Sequence, residues 1–359
     1  MQLCNKLSKE ELEAKWRKIG HEWMTISFYQ YAKIENPKVF RDHLYLMWEK
    51  MDVLGRVYVA TEGINAQIAV PKQHFEQFRD ELYTISFLDG IRLNIAVENG
   101  DVEFPFLKLK IKVRDKILAD GLSDESFDVT NKGIHLEAKE FNEIISNPAT
   151  ILIDFRNHYE SEVGHFRNAI TPDVDNFRES LPYIEEKFLQ GNEDKNLVMY
   201  CTGGIRCEKA SAWFKHRGFK NVHQLEGGII KYANDCEEQG LENKFIGKNF
   251  VFDERRAEKI TDDVIANCHQ CGNPADVHVN CANEACHLLY IQCESCKEKM
   301  EGCCSTECID VTHMSEEEQK EYTNLSSQIA GAINKSKEHL ESLIRKRNQI
   351  IHVAENKQF

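Results

Sequence analysis

The sequence predicts a protein of several domains, with an α+β domain first, a parallel α/β domain next and a small cysteine-rich module near the end. Three observations support this prediction. The chain has 359 residues, which is too long for one ordinary compact core. Predicted strands and helices alternate in one order before residue 118 and in a different order after residue 133. Nine of the 13 cysteines lie between Cys268 and Cys308.

Residues 1–118 are predicted to form the first domain, in which a polar helix over residues 8–18 precedes the element order β-α-β-β-α-β. Apolar residues that recur at strand or helix spacing predict each element. The strands are expected at residues 24–31, 56–60, 64–70 and 91–97, and the helices at residues 37–51 and 71–85. This order is that of a ferredoxin-like, or acylphosphatase-like, sandwich. Proteins with this fold have many different functions, so the fold alone does not indicate the function.

A further strand at residues 107–114 alternates apolar and cationic residues, so one face is buried and the other carries four like charges. The four cations are Lys108, Lys110, Lys112 and Arg114. One interpretation is a solvated edge strand whose lysines discourage aggregation. The other is a ribbon that contacts RNA phosphates, because four such cations in a row are unusual on an acidic protein.

A polar, turn-rich linker is predicted at residues 119–132, and the second domain at residues 133–245. Strands and helices alternate in this domain, which indicates a parallel α/β sheet with a functional site at the carboxyl ends of the strands. The apolar strand at residues 196–200 ends at Cys201, and a glycine-containing loop and a helix follow directly.

The Cys201 loop is the predicted catalytic site. Backbone N–H groups of the loop and the positive end of the next helix favour negative charge on sulfur, which lowers the thiol pKa and makes the cysteine a nucleophile. Arg206, at the closing end of the loop, is suited to clamp an anion. Cys207 either packs at the helix start or resolves an oxidised Cys201 by forming a disulfide. The rest of the predicted backbone cradle is Thr202, Gly203, Gly204 and Ile205.

The cysteine-rich module is predicted at residues 246–312, and its cysteine spacing is that of a metal site. Tetrahedral Zn²⁺ needs four ligands, and a Cys-x2-Cys pair supplies two from one tight turn. The spacing suffices for two closed, structural zinc sites, and sequential and interleaved pairing both fit. An iron–sulfur cluster is disfavoured, because the spacing matches neither common ferredoxin pattern. The candidate ligands are Cys268, Cys271, Cys281, Cys286, Cys293, Cys296, Cys303, Cys304 and Cys308, with only one of the adjacent Cys303 and Cys304 as a ligand at a time.

The composition argues against several protein classes. No apolar run is long enough to span a membrane, and the N-terminus lacks the apolar core of a signal peptide. We therefore expect a cytoplasmic protein, in which clustered cysteines are better interpreted as metal ligands than as disulfides. The net charge of −14 argues against an indiscriminate nucleic-acid coat, although one domain can still carry a basic surface.

Residues 313–359 are predicted to form a C-terminal helix with acidic residues in its first turn. The helix carries an apolar stripe that can pack on the body of the protein or pair with another subunit in an oligomer. The stripe consists of Leu325, Ile329, Ile333, Leu340 and Ile344.

Four motifs between residues 133 and 240 resemble, in order, those of a rhodanese domain. They are Asp154-Phe155-Arg156, the segment at residues 164–170, the Cys201 loop and the segment at residues 222–228. The resemblance implies that Cys201 carries a persulfide. Related phosphatases have the pattern Cys-x5-Arg, whereas this chain has four residues between Cys201 and Arg206 and a cysteine at the next position. Sulfur chemistry is therefore favoured over phosphate chemistry.

The order of the three parts resembles the long form of the rhodanese-containing tRNA uridine hydroxylase family, over nearly the whole chain to about residue 310. Besides the loop, the motifs that carry this resemblance are residues 60–65, the basic strand and the cysteine spacing. The resemblance implies 5-hydroxylation of the wobble uridine, with Cys201 essential, molecular oxygen as co-substrate and the tRNA anticodon region as partner. No flavin or haem site is evident in the sequence.

Two other function classes stay open at this point. A rhodanese-type sulfurtransferase would pass persulfide sulfur from Cys201 to a thiol or to a tRNA-thiolation acceptor, and it requires only the second domain. A zinc-stabilised interaction adaptor would carry a vestigial thiol, and replacing Cys201 would then have no consequence in the cell.

Overall fold

The computed structural model describes residues 7–97, 102–123 and 127–324. The chain divides into two compact units, residues 1–262 and residues 263–359. The first unit contains a mainly antiparallel sheet and a parallel sheet, and the second contains the clustered cysteines. No helix within the three described ranges is long and apolar enough to cross a membrane.

The N-terminal part of the first unit is a five-stranded sheet with three helices. The strand order is β4-β1-β3-β2-β5, and neighbouring strands are antiparallel except for β2 and β5, which are parallel. The elements are α1 (Lys9–Ile19), β1 (Trp23–Tyr31), α2 (Pro37–Glu49), β2 (Leu54–Ala60), β3 (Gly63–Pro71), α3 (Phe75–Tyr83), β4 (Asn94–Ile95) and β5 (Leu109–Val113).

The two faces of this sheet differ in polarity because side chains alternate along each strand. Helices α2 and α3 cover one face, where Phe28, Trp48 and Phe78 belong to one apolar core. The opposite face carries polar side chains over most of its width. Helix α1 covers one end of that face through an apolar cluster that includes Trp16 and Ala69.

The element order of this part agrees with the sequence analysis, but β4 is shorter than the strand predicted at residues 91–97. Only Asn94 and Ile95 pair with β1. The residues before them are held in a turn, because the N–H group of Ile91 donates to the Leu88 carbonyl and the Tyr83 hydroxyl donates to the Ile91 carbonyl. Backbone groups that bond within a turn do not extend the ladder.

The second part of the first unit is a parallel α/β sheet, as the sequence predicts. The strand order is β6-β10-β9-β7, and all three neighbouring pairs are parallel. The elements are β6 (Ile134–Leu136), α4 (Ala138–Ile145), β7 (Ile151–Asp154), α5 (His158–Glu162), β8 (Gly164–Phe166), α6 (Phe177–Ile184), β9 (Asn196–Tyr200), α7 (Ile205–His216), β10 (Asn221–Leu225) and α8 (Gly228–Gln239).

Strand β9 lies inside this sheet and is buried on both faces. Leu197 and Met199 point into one apolar cluster together with Cys201, whereas Val198 and Tyr200 point into the cluster on the other face. A strand in this position is a continuous apolar run rather than an alternating one. The run therefore delivers Cys201 to the carboxyl edge of the sheet, inside the core.

Two segments differ from the domain bounds that the sequence predicts. Strand β11 (Phe245–Phe250) pairs with β8 and with β12 (Ala257–Lys259), so these residues extend the first unit instead of opening the cysteine-rich module. In the predicted linker, Asp120 is 2% exposed and forms an ion pair with Lys209. Composition alone cannot distinguish a polar linker from a segment that a buried ion pair anchors.

The second unit contains short elements and one longer helical segment. Its two-stranded antiparallel sheet consists of β13 (His278–Asn280) and β14 (Leu289–Ile291), and helices α9 (Glu294–Lys299) and α10 (Thr306–Thr312) follow. Residues 316–324 are helical. The apolar stripe that the sequence predicts for the C-terminal helix lies outside the described residues.

Replacing Trp48 tests the core of the N-terminal sheet. Trp48 is fully buried, so Trp48→Ala is expected to lower the free energy of unfolding of this part by about 3–5 kcal/mol, through lost burial and the cavity left behind. Urea unfolding followed by circular dichroism measures the change. Leu46→Ala in the same helix is the control, because Leu46 is 44% exposed and should change that free energy by less than about 0.5 kcal/mol. Equal effects of the two variants would contradict the core assignment.

Candidate active site

The Cys201 loop connects the end of β9 to the first turn of α7. Gly204 adopts a φ of 101°, a conformation that favours glycine, and its N–H group donates to the Cys201 sulfur at 3.1 Å. A Cβ atom on Gly204 would lie 2.8 Å from the Tyr29 hydroxyl oxygen. Glycine is therefore required here both for the backbone conformation and for the close approach of β1.

The electrostatic surroundings favour a thiolate at Cys201. Complete burial alone would raise its pKa, but a hydrogen bond from the Cys207 thiol, the charge of Arg206 and backbone N–H groups of the loop outweigh burial. Together they lower the pKa of Cys201 to about 6. The cysteine is therefore mostly ionised at neutral pH, as the sequence analysis expects of a nucleophile.

Cys207 lies beside Cys201 as a hydrogen-bond donor. Burial is the main cause that raises the pKa of Cys207 well above its usual range, and the neighbouring Cys201 sulfur raises it further. Cys207 therefore keeps its proton and donates a hydrogen bond to the Cys201 sulfur. Cys207 is also part of the same apolar cluster as Cys201. Cys207 therefore packs at the start of α7, which is one of the two interpretations made from the sequence, and it also donates a hydrogen bond to Cys201.

Arg206 forms a buried, two-bond ion pair with Glu160, a residue that the sequence analysis does not single out. Its two terminal nitrogens donate to the two carboxylate oxygens at 2.6 and 2.8 Å, and one of them also contacts the Thr202 hydroxyl at 3.4 Å. Glu160 lies in α5, where a capping box with Asn157 orients it. Arg206 therefore contributes its charge to the loop while Glu160 holds the guanidinium in place.

The first turn of α8 holds the Cys201 loop through backbone hydrogen bonds. The N–H groups of Ile229 and Ile230 donate to the carbonyls of Cys201 and Thr202 at 3.0 and 3.2 Å. A Cβ atom on Gly228 would lie 2.5 Å from the Cys201 carbonyl oxygen, and the φ of Gly228 is +67°. This close approach explains Gly228 in the last rhodanese-like motif.

Two consecutive side chains of α7 join the loop to the N-terminal sheet. Glu208 accepts a hydrogen bond from the Tyr29 hydroxyl at 3.1 Å and pairs with Lys132 and His135. Lys209 donates to both carboxylate oxygens of Glu62 at 3.0 and 2.9 Å and also pairs with Asp120. Glu62 belongs to the motif at residues 60–65, so this motif has a structural role in contacting the loop helix.

The Cys201 sulfur is not on the surface. Cys201 is 0% exposed, whereas the neighbouring Thr202, Gly203 and Ile205 are partly exposed. From the N-terminal sheet, the Asn94 amide donates to the Gly203 carbonyl at 3.4 Å. A substrate can therefore contact the outer edge of the loop directly, but it reaches the sulfur only after groups at this edge move.

The four predicted RNA-binding cations lie on strand β5 and directly beside it, at the edge of the N-terminal sheet. Lys110, Lys112 and Arg114 are exposed, and Lys108 is partly buried. Leu109 and Ile111, which alternate with them, are buried against α2. The alternation that the sequence analysis describes is therefore present, with the cations on the polar face of the sheet.

In the second unit, the cysteines form two separate groups with interleaved pairing. In each group, the four sulfur atoms all lie within 4.8 Å of one another. A tetrahedral ion with Zn–S bonds of about 2.3 Å would hold its sulfurs about 3.8 Å apart, and three of the observed sulfur–sulfur distances are 3.7 Å. The first group is Cys268, Cys271, Cys293 and Cys296, and the second is Cys281, Cys286, Cys304 and Cys308; Cys303 lies in neither.

Removing the Cys207 thiol tests the ionisation of Cys201. Cys207→Ala is expected to raise the pKa of Cys201 from its value of about 6, because the thiolate loses a donor. The pH dependence of iodoacetamide labelling, followed by mass spectrometry of the tryptic peptide at residues 196–206, reports that pKa. Cys236→Ala, at a buried cysteine in α8, is the matched control and should leave the labelling curve unchanged. Identical curves for Cys207→Ala and the unmodified protein would contradict the donor role.

Three family descriptions match successive parts of the chain. Residues 23–117 match the UPF0176 acylphosphatase like domain, residues 137–235 the Rhodanese-like domain, and residues 246–309 the Rhodanase C-terminal family. The rhodanese-like match covers the parallel sheet and the Cys201 loop, which confirms that resemblance. The third match begins inside β11 and extends over both cysteine groups.

Curated relatives cover almost the whole chain. The tRNA uridine(34) hydroxylase of Pectobacterium carotovorum is 52% identical over 95% of this chain and 96% of that protein. The tRNA uridine(34) hydroxylase of Photorhabdus laumondii is 51% identical over 94% of this chain and 96% of that protein. The protein of the same name from Yersinia pestis is 54% identical over 89% of each chain. At this identity and coverage, the chain belongs to the tRNA uridine(34) hydroxylase family.

Proposed function

We propose that this protein hydroxylates the uridine at position 34, the wobble position, of tRNA. The observation that carries the proposal is the likeness to tRNA uridine(34) hydroxylases over 95% of the chain, which includes the Cys201 loop and the N-terminal sheet. The position on the ring is carbon 5, and molecular oxygen is the co-substrate. One oxygen atom enters the C–H bond, and the other leaves as water after it takes two electrons and two protons from a separate two-electron reductant. A cytoplasmic location follows from the substrate.

Cys201 is the essential residue of this reaction in our proposal. A pKa of about 6 leaves the sulfur ionised at neutral pH, so it can act as a thiolate or carry a persulfide. The Gly204 N–H group and the Cys207 thiol donate to this sulfur, and Arg206 adds positive charge. The partly exposed backbone of Thr202, Gly203 and Ile205 forms the edge of the loop at which the tRNA approaches.

The two alternative functions are less well supported. A plain sulfurtransferase needs only the rhodanese-like part, whereas the named relatives match the N-terminal sheet and the cysteine groups as well. A zinc-stabilised adaptor with a vestigial thiol would not need the donors that lower the pKa of Cys201. Both observations favour the hydroxylase.

The partner of the N-terminal sheet is the anticodon region of tRNA in this proposal. Lys108, Lys110, Lys112 and Arg114 supply positive charge for its phosphates. The strand order β4-β1-β3-β2 and the antiparallel pairing within it support the ferredoxin-like interpretation of this part. Helices α2 and α3 cover one face of this sheet, and the cations lie on the opposite face, of which α1 covers only one end.

Each of the two cysteine groups binds one structural Zn²⁺ ion in our proposal. Four thiolates complete the tetrahedron and leave no open position for substrate, so the ions stabilise the second unit and take no part in the reaction. Cys304, rather than Cys303, is then the ligand of the adjacent pair.

Zinc content tests the ligand assignment. The purified full-length protein is expected to contain two zinc ions per chain by inductively coupled plasma mass spectrometry, and Cys286→Ser is expected to contain one, because a ligand is lost. Cys303→Ser is the matched control, since Cys303 is buried in the same part but outside both groups. Loss of an ion from Cys303→Ser, with none lost from a Cys304→Ser variant, would contradict the assignment.

Replacing Cys201 tests the proposed function. Cys201→Ser is expected to abolish 5-hydroxyuridine in tRNA, because a serine hydroxyl does not ionise at neutral pH and cannot carry a persulfide. Nucleoside mass spectrometry of tRNA from cells that contain only the variant measures the loss. Cys236→Ser, which removes a buried cysteine of α8 instead, should retain the modification. An unchanged 5-hydroxyuridine level in the Cys201→Ser strain would rule out the proposal.

A further inference from the structure

A row of five polar side chains crosses the face of the N-terminal sheet that lies opposite α2 and α3, from the basic edge of the sheet to the Cys201 loop. The strand registers pair Lys110 with Arg56, Arg56 with Gln67, Gln67 with Ser27, and Ser27 with Asn94. Paired side chains lie on the same face, so these five form one line across the strands. We call this line the cross-strand row.

The cross-strand row lies between two covered regions of that face. On one side, the cluster of Trp16 and Ala69 packs under α1. On the other side, Arg114 lies over the Tyr58 ring at 5.8 Å, and the Asn65 amide donates to the Ile117 carbonyl at 3.4 Å. The row is therefore a path across the sheet with protein on both sides.

Exposure and charge change along the cross-strand row. Lys110 and Arg56 are exposed, Gln67 and Ser27 are partly buried, and Asn94 is 7% exposed. Burial is the main cause that lowers the pKa of Lys110. The positive charges of Lys108, Lys112 and Arg56 lower it further. No acidic side chain among the described residues contributes to that shift. The outer end of the row therefore has a local excess of positive charge, which favours the binding of an anion.

The inner end of the cross-strand row contacts the backbone of the Cys201 loop. The Asn94 amide nitrogen donates to the Gly203 carbonyl at 3.4 Å. A Cβ atom on Gly203 would lie 3.8 Å from the Ser27 hydroxyl oxygen. Neighbouring strands lie about 4.8 Å apart, so the four steps from β5 to β4 span roughly 19 Å. The row therefore connects the exposed cations to the loop over a length that a few nucleotides can cover.

We propose that a single-stranded segment of the RNA substrate lies along the cross-strand row, with phosphates at Lys110 and Arg56 and the target base at Gly203. This inference rests on the proposed function and adds the route by which the RNA reaches Cys201. Gln67 and Ser27 lie under the segment and donate or accept hydrogen bonds at base edges. Unstacked bases present those edges, which is how proteins recognise RNA loops on sheet surfaces.

The side chains of the row favour RNA over an acidic protein as its ligand. Cations occupy only the outer end, and uncharged amide and hydroxyl groups follow. An acidic protein surface would be matched by cations throughout the contact area, whereas RNA needs cations for its phosphates and neutral polar groups for its bases. A double helix would not present unpaired base edges to Gln67 and Ser27.

Binding measurements with row variants test the inference. The probe is a fluorescein-labelled RNA hairpin with a tRNA anticodon loop, and its anisotropy with the full-length protein is followed at several salt concentrations. Arg56→Ala is expected to weaken binding and to reduce the slope of log affinity against log salt by about 1, because one phosphate contact is lost. Gln67→Ala is expected to weaken binding without changing that slope.

Matched controls lie on the helical layer of the same sheet. Lys38→Ala in α2 and Gln77→Ala in α3 remove the same kinds of group from exposed positions on the opposite face, and both should bind the hairpin like the unmodified protein. Wild-type affinity and salt slope for both row variants would overturn the inference. Displacement of the hairpin by poly-glutamate as effectively as by unlabelled hairpin would also overturn it, in favour of an acidic protein partner.

A crosslinking measurement requires no substitution and so avoids any folding defect. The hairpin carries 4-thiouridine at the target position, and crosslinked peptides of the unmodified protein are identified by mass spectrometry. Crosslinks are expected in β1, β3 or the Cys201 loop, whereas crosslinks confined to α2 and α3 would overturn the inference. Neither readout depends on hydroxylation. Failure of the proposed function would appear separately, as 5-hydroxyuridine that persists in the Cys201→Ser strain.

Discussion

The geometry of the first unit depends on the buried ammonium group of Lys209. This side chain is 2% exposed, and its ammonium group lies between the carboxylates of Glu62 from the N-terminal sheet and Asp120 from the segment that follows. Removing one partner of a buried ion pair typically costs about 3–5 kcal/mol, because an uncompensated charge stays behind. Lys209 follows the Cys201 loop by about one helical turn. Its pairing therefore fixes the loop against the sheet, and the two parts make one site.

The charges around Cys201 suit a sulfur anion better than a phosphate. A phosphate needs several donors, and a free arginine that binds two of its oxygens is the usual solution. Here both terminal nitrogens of Arg206 already bind Glu160. The donors that remain for the anion are the N–H groups of Gly204, Arg206 and Cys207 and the Cys207 thiol, and all of them are directed at one sulfur atom. The structure thus gives a physical reason for the sulfur chemistry that residue spacing suggests.

Local patterns predicted most of the secondary structure and the position of Cys201 at the end of a buried strand, because hydrophobic period and glycine placement are properties of neighbouring residues. Contacts between distant segments were not predictable in the same way. Glu160 is 46 positions from Arg206, and nothing in its own short helix marks it as the partner of an arginine. Arg56 joins the basic edge because β2 and β5 are neighbours in a register that pairs Arg56 with Lys110, which neither strand reveals alone. The choice between sequential and interleaved cysteine pairing likewise depended on how the chain folds back.

The interleaved cysteine pairing has a consequence for the order in which the second unit can assemble during synthesis. With sequential pairing, the first group would be complete once Cys286 had left the ribosome. With the observed pairing, the first group waits for Cys296 and the second for Cys308. With the proposed zinc ions, neither half of this unit can therefore gain metal-dependent stability early. A chain truncated between Cys286 and Cys293 would hold two incomplete pairs of thiolates rather than one finished site. Assembly is concentrated in the last stretch of the cysteine-rich segment.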